Sequence, residues 1–426
     1  KKIVKFNHTL VEQCVKSIPH SFSLWSRELE EMKIGGDNLH FVSAVDNSYI
    51  LEGETGKRRT GRLSDVRDIA KLMNELEFHH ICCPAVIAHD VPPAMRLVQC
   101  AAEVLRNTQK HCIICPTSGV EAEFFIRMGA AIAGSEDQLS RKPVISTTIA
   151  PTSPLSFPKS TCDVIWAFAK RRIPFVVVHA PIAGATSPVT MAGTMALANA
   201  ESLAEIVLTQ LIAEGTPLVY GGAISNMDMR HGMPAYGAAE YGLFSMATAQ
   251  MGRFYNIPTY GAGGATNANL SDAQSGYEKM NSSLLAYLAG HDMMCDAALN
   301  SNGLTSLDSI VIQDEIMGML ARIGKGFSVD KDTLSLDMIK QVGHGGDYLS
   351  LKHTRENFLA DFYYSKLSSR VSYEAWLSGK GKELRTVAIE RAKELIDGHK
   401  PVLLPEKADR EIQKIIDEAR KTFNMS

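Results

Sequence analysis

The sequence predicts an α/β protein built on a TIM-type (β/α)₈ barrel, with an N-terminal extension and C-terminal helical additions. Short apolar, β-branched or Cys-rich runs alternate with helical stretches, which is the pattern of a parallel sheet with crossover helices. Seven such units follow one another, and that number favours a closed barrel over an open doubly wound sheet. The predicted strand runs are 79–84, 112–116, 144–150, 175–180, 218–222, 259–263 and 293–299.

The pattern leaves the position of the eighth strand open. It could come from the residues that precede the first run, or from residues 310–312, although 309–323 favours a helix. Near the N-terminus, two β-type segments at 41–45 and 49–52 flank the turn residues 46–48, which predicts a hairpin.

The chain is expected to have three parts. Residues 1–64 form a helical and hairpin extension, and residues 65–326 form the barrel core. Beyond Gly326 the composition shifts, so residues 327–426 are expected to pack on the barrel and to supply charged outer helices. Those helices suit either a solvated layer or a contact in a homo-oligomer, and we expect a homo-oligomer.

Charge and composition disfavour nucleic acid and membrane partners. The net charge of −3 provides no basic footprint. The longest apolar stretch, 191–213, is interrupted by Glu201 and Glu205, which favours a buried helix over a membrane span. Eight cysteines in apolar surroundings and no signal-peptide core predict a cytoplasmic protein. A small organic substrate is therefore the default expectation.

Glycines gather where the predicted strands end, which is the active face of such barrels. Ordinary loop glycines are the simplest interpretation. A phosphate cradle is a second interpretation, but neither GxGxxG nor GxxxxGK[ST] occurs. A third is an open mouth that receives a planar macrocycle. The glycines concerned are Gly184, Gly221, Gly222, Gly263 and Gly264.

Several chemistries lack the residues that they require. The strand runs contain no lysine for a Schiff base, and Gly-x-Ser-x-Gly is absent. Cys112 and Cys115 form a single CxxC without a second pair, so we expect no metal site. No side chain is an evident nucleophile, and the catalytic residue stays unknown. The remaining aromatic, amide, carboxylate and imidazole groups suit a cationic amine.

Several separated motifs carry a resemblance to a known family. They are PLSF at 154–157, GATSPVTMAGT at 184–194, ANAE at 198–201, Asp272-Ala273-Gln274 with Glu278-Lys279, Asp314-Glu315, and His344-Gly345-Gly346 with His353-Thr354. In this order they make the chain similar to the trimethylamine methyltransferase superfamily over roughly residues 40–365. The founding branch of that family carries pyrrolysine. This sequence contains only standard residues, so it resembles the non-pyrrolysine branch.

The resemblance implies a barrel enzyme that moves a methyl group from a quaternary amine, such as glycine betaine, proline betaine or carnitine, to the Co(I) of a separate corrinoid protein. The Asp-x-His-x-x-Gly signature of corrinoid carriers is absent. We therefore expect no tightly bound cofactor, and a corrinoid (cobalamin) that a partner protein brings to the glycine-rich mouth. Because a quaternary ammonium leaves as a neutral amine, the reaction requires no general acid.

The candidate substrate-binding residues fall into two sets. The first could anchor a remote carboxylate of the substrate, and the second could surround its ammonium group. Singly, each residue is more often a cap or an ion-pair partner. The first set is Asn226, Arg230, His231 and Asn267; the second is Tyr220 and Tyr260, with Asp272, Gln274, Glu315 and His344 drawn from the family motifs.

Two other interpretations stay open. The chain could be a barrel lyase or decarboxylase that acts on an anionic substrate, which would require a cationic pocket. It could also be a relative without catalytic activity that only binds a quaternary amine.

Overall fold

A computed structural model describes residues 3–36, 38–43, 46–53, 55–295, 298–400 and 403–424. At its centre, eight parallel strands close into a barrel and follow one another in chain order. The strands are β1 (Phe22–Trp25), β2 (Glu31–Ile34), β3 (His40–Val42), β4 (Tyr49–Leu51), β5 (Arg58–Thr60), β6 (Ile81–Cys82), β7 (His111–Ile113), β8 (Ile145–Ile149), β9 (Phe175–His179), β10 (Ile182–Ala183), β11 (Leu218–Gly222), β12 (Ser225–Asp228), β13 (Met233–Pro234), β14 (Thr259–Ala262), β15 (Met293–Cys295) and β16 (Leu304–Thr305).

The predicted barrel is confirmed. Its wall consists of β3, β6, β7, β8, β9, β11, β14 and β15, and each of the seven predicted runs overlaps one of these strands. The eighth strand is β3, which lies among the residues before the first run. It pairs in parallel with β15 on one side and with β6 on the other, and so closes the barrel. The boundaries predicted at residues 64 and 326 remain a prediction, although β3 itself lies inside the predicted extension.

The predicted hairpin at 41–45 and 49–52 is wrong. The first of its segments supplies β3, whose partners are parallel barrel strands, while β4 pairs antiparallel with β5. The hairpin therefore begins one segment later than the pattern indicated. Residues 44 and 45 of the predicted hairpin lie outside the described residues.

The helices form an outer layer around the barrel. Residues 310–312 lie in a helix, as the pattern favoured, and the last two long helices pack on the helices of the barrel. The helices are α1 (His8–Lys16), α2 (Leu63–Glu75), α3 (Arg96–Asn107), α4 (Gly119–Ala133), α5 (Glu136–Arg141), α6 (Lys159–Ala169), α7 (Met191–Ile212), α8 (Ala239–Tyr255), α9 (Ala273–Leu288), α10 (Leu307–Lys325), α11 (Leu336–Val342), α12 (Lys352–Asp361), α13 (Tyr373–Ser378), α14 (Leu384–Gly398) and α15 (Glu406–Thr422), with a 3₁₀ turn at Pro93–Met95.

Helix α7 is long and apolar enough, by length and composition, to cross a membrane. In this fold it packs against α1, α6, α8 and β9, and it buries the carboxylates of Glu201 and Glu205. Buried carboxylates of this kind would be costly in a bilayer. The structure thus accounts for α7 as the helix that connects β10 to β11 on the outside of the barrel.

The hairpin of β1 and β2 fills the amino end of the barrel. Leu24 and Ile34 are almost fully buried and belong to the same apolar cluster as the side chains that point inward from the strands. The backbone N–H of Trp25 donates to the carbonyl of Pro143, and the carbonyl of Trp25 lies 3.1 Å from Nδ1 of His111. These bonds fix the hairpin to the barrel wall at β7 and just before β8.

Leu24→Ala is expected to lower the free energy of unfolding by about 2–5 kcal/mol, because it opens a cavity in a closed apolar interior. Urea titration followed by circular dichroism measures the change. Leu243 is half exposed on α8, so Leu243→Ala serves as the matched control and should change stability by less than about 1 kcal/mol. Equal losses in the two variants would contradict the assignment of Leu24 to the barrel interior.

Candidate functional site

The site is built at the carboxyl ends of the barrel strands, where residues from different strands meet. Above the apolar interior, one ring of side chains points inward from β9, β14 and β15 and from residues just after β6 and β7. Because neighbouring residues of a strand face opposite sides, these positions alternate with residues that face the outer helices. The ring consists of Cys83, Cys115, Val178, Tyr260 and Cys295.

Asp46 contributes a carboxylate to this ring. It follows β3, and its backbone N–H donates to the carbonyl of Pro84, which follows the neighbouring strand β6. The thiol of Cys115 donates a hydrogen bond to the carboxylate, and Sγ of Cys115 also lies 3.0 Å from Oγ1 of Thr148. Loss of solvation raises the pKa of Asp46 to about 7, while the bond from Cys115 acts in the opposite direction.

Asp46 is therefore a carboxylate that lacks a compensating positive charge. None of the groups that shift its pKa is a lysine or an arginine, within the part of the chain that the structure describes. A carboxylate withdrawn from water without a cation is unfavourable, and a cationic ligand would relieve that cost. Sequence analysis missed Asp46 because it was placed in a hairpin turn; its position after a barrel strand was the signal.

Tyr260 supplies an aromatic face inside the mouth. It is 7% exposed and lies in the interior cluster. The neighbouring strand β11 makes room for its ring, because a Cβ added at Gly221, the register partner of Tyr260, would lie 2.9 Å from Cδ1 of Tyr260. Gly221 is thus required by the tyrosine, which explains one of the five glycines predicted at a corrinoid approach.

Gly222 and Gly263 face the outer helices instead of the mouth. A Cβ at Gly222 would lie 3.2 Å from Oγ1 of Thr248 on α8, and a Cβ at Gly263 would lie 3.0 Å from Sδ of Met294. These glycines allow close packing of the barrel wall. The simple interpretation of loop and packing glycines therefore accounts for them, and their predicted role at a corrinoid approach is corrected.

Glu278 holds the loop after β14. Its buried carboxylate accepts hydrogen bonds from Oγ1 of Thr266, from the backbone N–H of Asn267 at 2.9 Å and from Nε2 of Gln274 at 2.9 Å. The predicted shared helical face of Gln274 and Glu278 is present. The amide of Gln274 is bonded to the Glu278 carboxylate, so it acts first as a support for the loop.

Lys279 completes the same support. Its fully buried ammonium donates to the carbonyl of Gly264 at 2.9 Å. Gly264 has φ +82°, a conformation that L side chains rarely adopt, so the turn itself requires glycine. The family motif of Glu278 and Lys279 thus sets the shape of one side of the mouth.

Asn267 and Asp272 have structural roles. The side chain of Asn267 accepts from the N–H of Gly237 at 2.7 Å and donates to the carbonyl of Pro234 and to Oγ of Ser301. Asp272 is exposed and caps α9 by accepting from the N–H of Ser275. Both residues lie beside the mouth, but their polar groups already have partners.

Glu201 fixes the loop after β8. Its carboxylate accepts from Oγ of Ser153 and from the backbone N–H of Leu155, each at 2.8 Å. Leu155 is thereby held at the rim with 60% of its surface exposed. His179 lies 3.8 Å from the same carboxylate, and burial lowers the pKa of His179 to about 3, so its imidazole is neutral.

Three of the four predicted carboxylate anchors belong to a three-stranded sheet of β10, β12 and β13 at the rim, with Asn226 on β12 and Arg230 and His231 in the turn after it. Oδ1 of Asn226 is buried without a hydrogen-bond partner among the described residues. Arg230 and His231 are exposed and lie 3.0 and 3.4 Å from the carboxylate of Asp228. The hydrogen bond from Arg230 lowers the pKa of Asp228. Asn226 is consequently the member of this set that is best placed to meet a ligand.

Tyr220 does not line the mouth. Val219 and Gly221 face the barrel interior, so the alternation of β11 turns Tyr220 outward. Its hydroxyl donates to Oδ1 of Asn199 on α7 at 3.0 Å. The prediction that Tyr220 surrounds the ammonium group is therefore wrong.

Glu315 lies at the opposite end of the barrel. Helix α10 runs antiparallel to the strands, and by Asp314 it has reached the amino end, where that carboxylate accepts from the N–H of Phe78 just before β6. Glu315 accepts from the N–H of Lys366. Glu315 therefore does not lie beside an ammonium group bound at the mouth of the same chain, which corrects the prediction.

His344 is exposed in the segment that follows α10. The neighbouring motif residues bond within that segment, where Oγ of Ser335 lies 3.1 Å from His353 and Thr354 donates to the carbonyl of Tyr348. The structure therefore does not bring His344 together with Asp46 and Tyr260 in one chain.

The structure assigns the cysteines to packing. All eight are free, and Cys112 and Cys115 face opposite sides of the wall, as alternation predicted. Among the described residues, no group of three or more His, Cys, Asp or Glu side chains is arranged to hold a metal ion.

Apolar side chains surround the mouth on four loops. A Cβ at Gly184, where φ is +86°, would lie 3.7 Å from both Cγ2 of Val189 and Sδ of Met229, so these two side chains are neighbours. Exposed apolar side chains in this number suit a surface that another molecule covers. They are Leu155, Val189, Met229, Met233 and Leu270, which are 39–74% exposed.

Comparison with known proteins gives a consistent family. The model of the trimethylamine methyltransferase family matches residues 1–425. The chain is 33% identical over 425 residues to a glycine betaine methyltransferase of Desulfitobacterium hafniense (strain Y51), covering 99% of this chain and 88% of that protein. It is 30% identical over 427 residues to a trimethylamine methyltransferase of D. hafniense (strain DSM 10664 / DCB-2), covering 100% and 86%.

Among solved structures, a hydroxylamine complex of MtmB aligns with 99% of this chain and 81% of its own chain, at 10% identity and a TM-score of 0.48. At that score, the likeness adds nothing to the barrel topology already described.

The raised pKa of Asp46 predicts a stability that depends on pH. The folded protein holds the proton up to about pH 7, whereas an unfolded Asp releases it near pH 4, so stability falls as the pH rises between these values. Asp46→Asn removes this loss and should be more stable than the wild type at pH 8 by about 1–3 kcal/mol.

Urea titrations of both proteins at several pH values measure the difference, which should shrink toward pH 4. Asp397→Asn, at an exposed position on α14, is the control and should show no such trend. A constant difference for Asp46→Asn would contradict the proposed environment of this carboxylate.

Proposed function

Because the chain belongs to the trimethylamine methyltransferase family, we propose that it moves a methyl group from a quaternary amine to the Co(I) of a separate corrinoid protein. The observation that carries the proposal is the carboxylate of Asp46, which is bonded to Cys115 of the ring that also contains the aromatic face of Tyr260. The name of one relative, glycine betaine methyltransferase, and the standard residues of this chain favour a betaine as the substrate.

The ring at the mouth has the chemistry that a quaternary ammonium requires. A tetra-alkylated nitrogen cannot donate a hydrogen bond, so it is recognised through charge and through aromatic faces. Asp46 supplies the charge and Tyr260 the aromatic face. Free thiols behave as small, largely apolar groups, so Cys83 and Cys295 would surround N-methyl groups, while the thiol of Cys115 also bonds Asp46.

Transfer breaks one N–CH₃ bond, and the bonding electron pair stays on nitrogen as a neutral tertiary amine. The corrinoid, when its carrier is bound, supplies the cobalt nucleophile that accepts the methyl group. The protein therefore needs to orient the substrate and to exclude water, and it needs no general acid. A very tight hold on the cation would stabilise the ground state more than the transition state. A carboxylate with a pKa of about 7 provides a moderate hold.

The remote carboxylate of a betaine would then contribute to specificity. Asn226 is at the rim, where its amide NH₂ is the group that could donate to a carboxylate. Its amide oxygen, which lacks a partner among the described residues, is an acceptor and would not bind an anion. Arg230 and His231 are in reach of the same loop but are engaged with Asp228. We assign the anchoring role to Asn226 first.

The apolar rim fits a partner protein that presents a macrocycle. Leu155, Val189 and Met229 would be covered when a corrinoid carrier docks, and no tightly bound cofactor is required between turnovers. We place the protein in the cytoplasm, because a Co(I) partner and eight free cysteines both suit a reducing compartment.

Asp46→Asn is expected to weaken the binding of glycine betaine at least about tenfold, because the ammonium loses its counter-charge. Isothermal titration calorimetry measures the affinity. Asp272→Asn is the matched control, since asparagine caps a helix as well as aspartate does, and its affinity should stay within about twofold. If Asp272→Asn weakened the binding of glycine betaine and Asp46→Asn did not, the ammonium site would lie at Asp272, as the sequence predicted.

The reaction is tested by anaerobic incubation with cob(I)alamin and glycine betaine, proline betaine, carnitine or trimethylamine. Loss of the cob(I)alamin absorbance is expected with one of the betaines and absent with trimethylamine. Binding without loss of absorbance would support a relative that only binds the amine. Neither binding nor loss would favour a lyase or decarboxylase and would overturn the proposal.

A further inference from the structure

The loop between β15 and β16 contains a run of left-handed backbone. Asn300, Ser301 and Asn302 have φ angles of +50°, +52° and +60°. A positive φ brings the Cβ of an L-residue close to a neighbouring carbonyl oxygen, so such positions usually hold glycine. Asparagine tolerates the conformation better than most other residues. Ser301, at the centre of the run, is therefore the residue for which this backbone is least favourable.

A short hairpin holds the run in place. The backbone N–H of Leu299 donates to the carbonyl of Leu304 at 2.8 Å, and the N–H of Leu304 donates to the carbonyl of Leu299 at 3.2 Å. Both leucines are almost fully buried. The hairpin is thus fixed at its base, and the left-handed residues form its tip. A strained backbone that the surrounding structure maintains in this way points to a functional role.

The hydroxyl of Ser301 makes bonds that glycine could not make. Its Oγ accepts from Nδ2 of Asn267 at 2.6 Å and donates to the carbonyl of Pro234 at 3.1 Å. The backbone N–H of Ser301 donates to the carbonyl of Thr266 at 2.9 Å. Glycine would relieve the strain, but it would lose both bonds of the hydroxyl. The serine thus connects the loop after β15 to the loop after β14 and to β13.

On one side, the hairpin reaches the segment that carries Asp46. Strand β16 follows the tip and pairs in parallel with β4. Oγ1 of Thr305 accepts from Nδ2 of Asn47 at 2.8 Å and donates to the carbonyl of Ala85 at 2.6 Å. Asn47 and Thr305 are almost fully buried. The position of Asn47, and with it that of the adjacent Asp46, therefore depends on the strand that leaves the hairpin.

On the other side, the hairpin reaches the strand that carries Asn226. Pro234, which accepts from Ser301, is the register partner of Met227 in the pairing of β12 with β13. The N–H of Ala235 also donates to the carbonyl of Asn226 at 2.8 Å. Ser301 thus belongs to a chain of bonds that joins the strand of Asn226 to the segment of Asp46.

We propose that Ser301 is a positioning residue that sets the separation between an ammonium site at Asp46 and a carboxylate site at Asn226, and thereby selects betaines by length. The inference rests on the proposed function. One carbon separates the nitrogen from the carboxylate in glycine betaine, whereas three carbons separate them in carnitine. A fixed spacing between the two sites favours one of these lengths over the other, because specificity is a difference between two affinities.

Ser301→Gly tests the inference, because glycine adopts a positive φ without strain and the substitution removes the hydroxyl. Isothermal titration calorimetry measures the dissociation constants of glycine betaine and of carnitine. Their ratio should differ at least about fivefold from that of the wild type. The midpoint of urea unfolding should stay within about 0.5 M of the wild-type value, since relief of strain offsets the lost bonds.

Ser301→Thr is expected to give the opposite result. Threonine keeps the hydroxyl, but its branched Cβ makes a positive φ less favourable still. The urea midpoint should therefore fall, while the ratio of the two dissociation constants stays within about twofold of the wild-type ratio. The matched control is Asn256→Gly, at an exposed residue with φ +56° that follows α8 at the amino end of the barrel. The control should leave the ratio unchanged.

The outcomes separate this inference from the proposed function. A wild type that binds neither betaine would overturn both. A wild type that binds, with a ratio that Ser301→Gly leaves unchanged, would overturn the inference alone. The inference would also fail if Ser301→Thr or the control shifted the ratio as far as Ser301→Gly does. A Ser301→Gly variant that lost stability beyond the stated range would indicate a structural role and would count equally against it.

Discussion

Closure of the barrel depends on β3, a strand of three residues. It joins β15 through three register pairs and β6 through one, and without it the sheet would have two open edges. The same strand determines the site, because Asp46 follows it and is bonded to the segment after β6. Asp46 reaches the ring of inward-facing side chains only because Val42 and Ile81 are paired beneath it. Fold and candidate chemistry thus rest on one short piece of backbone pairing.

Buried charged groups hold the loops around that opening. Glu201 fixes the loop after β8, while Glu278 and Lys279 fix the loop after β14. Each of these groups is almost fully buried and is satisfied by backbone or hydroxyl partners, which is how a protein keeps such groups away from water. Rigid loops of this kind suit an enzyme whose task is orientation, since small displacements of a reacting group are costly to the rate.

The seven repeated strand runs made the barrel predictable, and the family motifs made Glu278 and the helix face of Gln274 predictable. Periodicity could not reveal that residues 40–42 pair with residues 293–295, so β3 was placed in a hairpin and Asp46 was overlooked. The prediction that Tyr220 surrounds the ammonium group was wrong because the sequence of a strand does not show which of its two faces points into the barrel. Glu315 and His344 failed because a motif in sequence order does not determine which end of a barrel it reaches.

The apolar filling of the barrel by Leu24 and Ile34 gives the interior a blind end. Any ligand of the interior must therefore enter and leave through the same open end, at the carboxyl ends of the strands. In the proposed reaction, a substrate bound deep in the barrel has to enter before the corrinoid carrier docks over the opening, and the tertiary amine leaves only after the carrier has dissociated. The hairpin that closes the amino end of the barrel thus imposes a fixed order of binding and release at the carboxyl end.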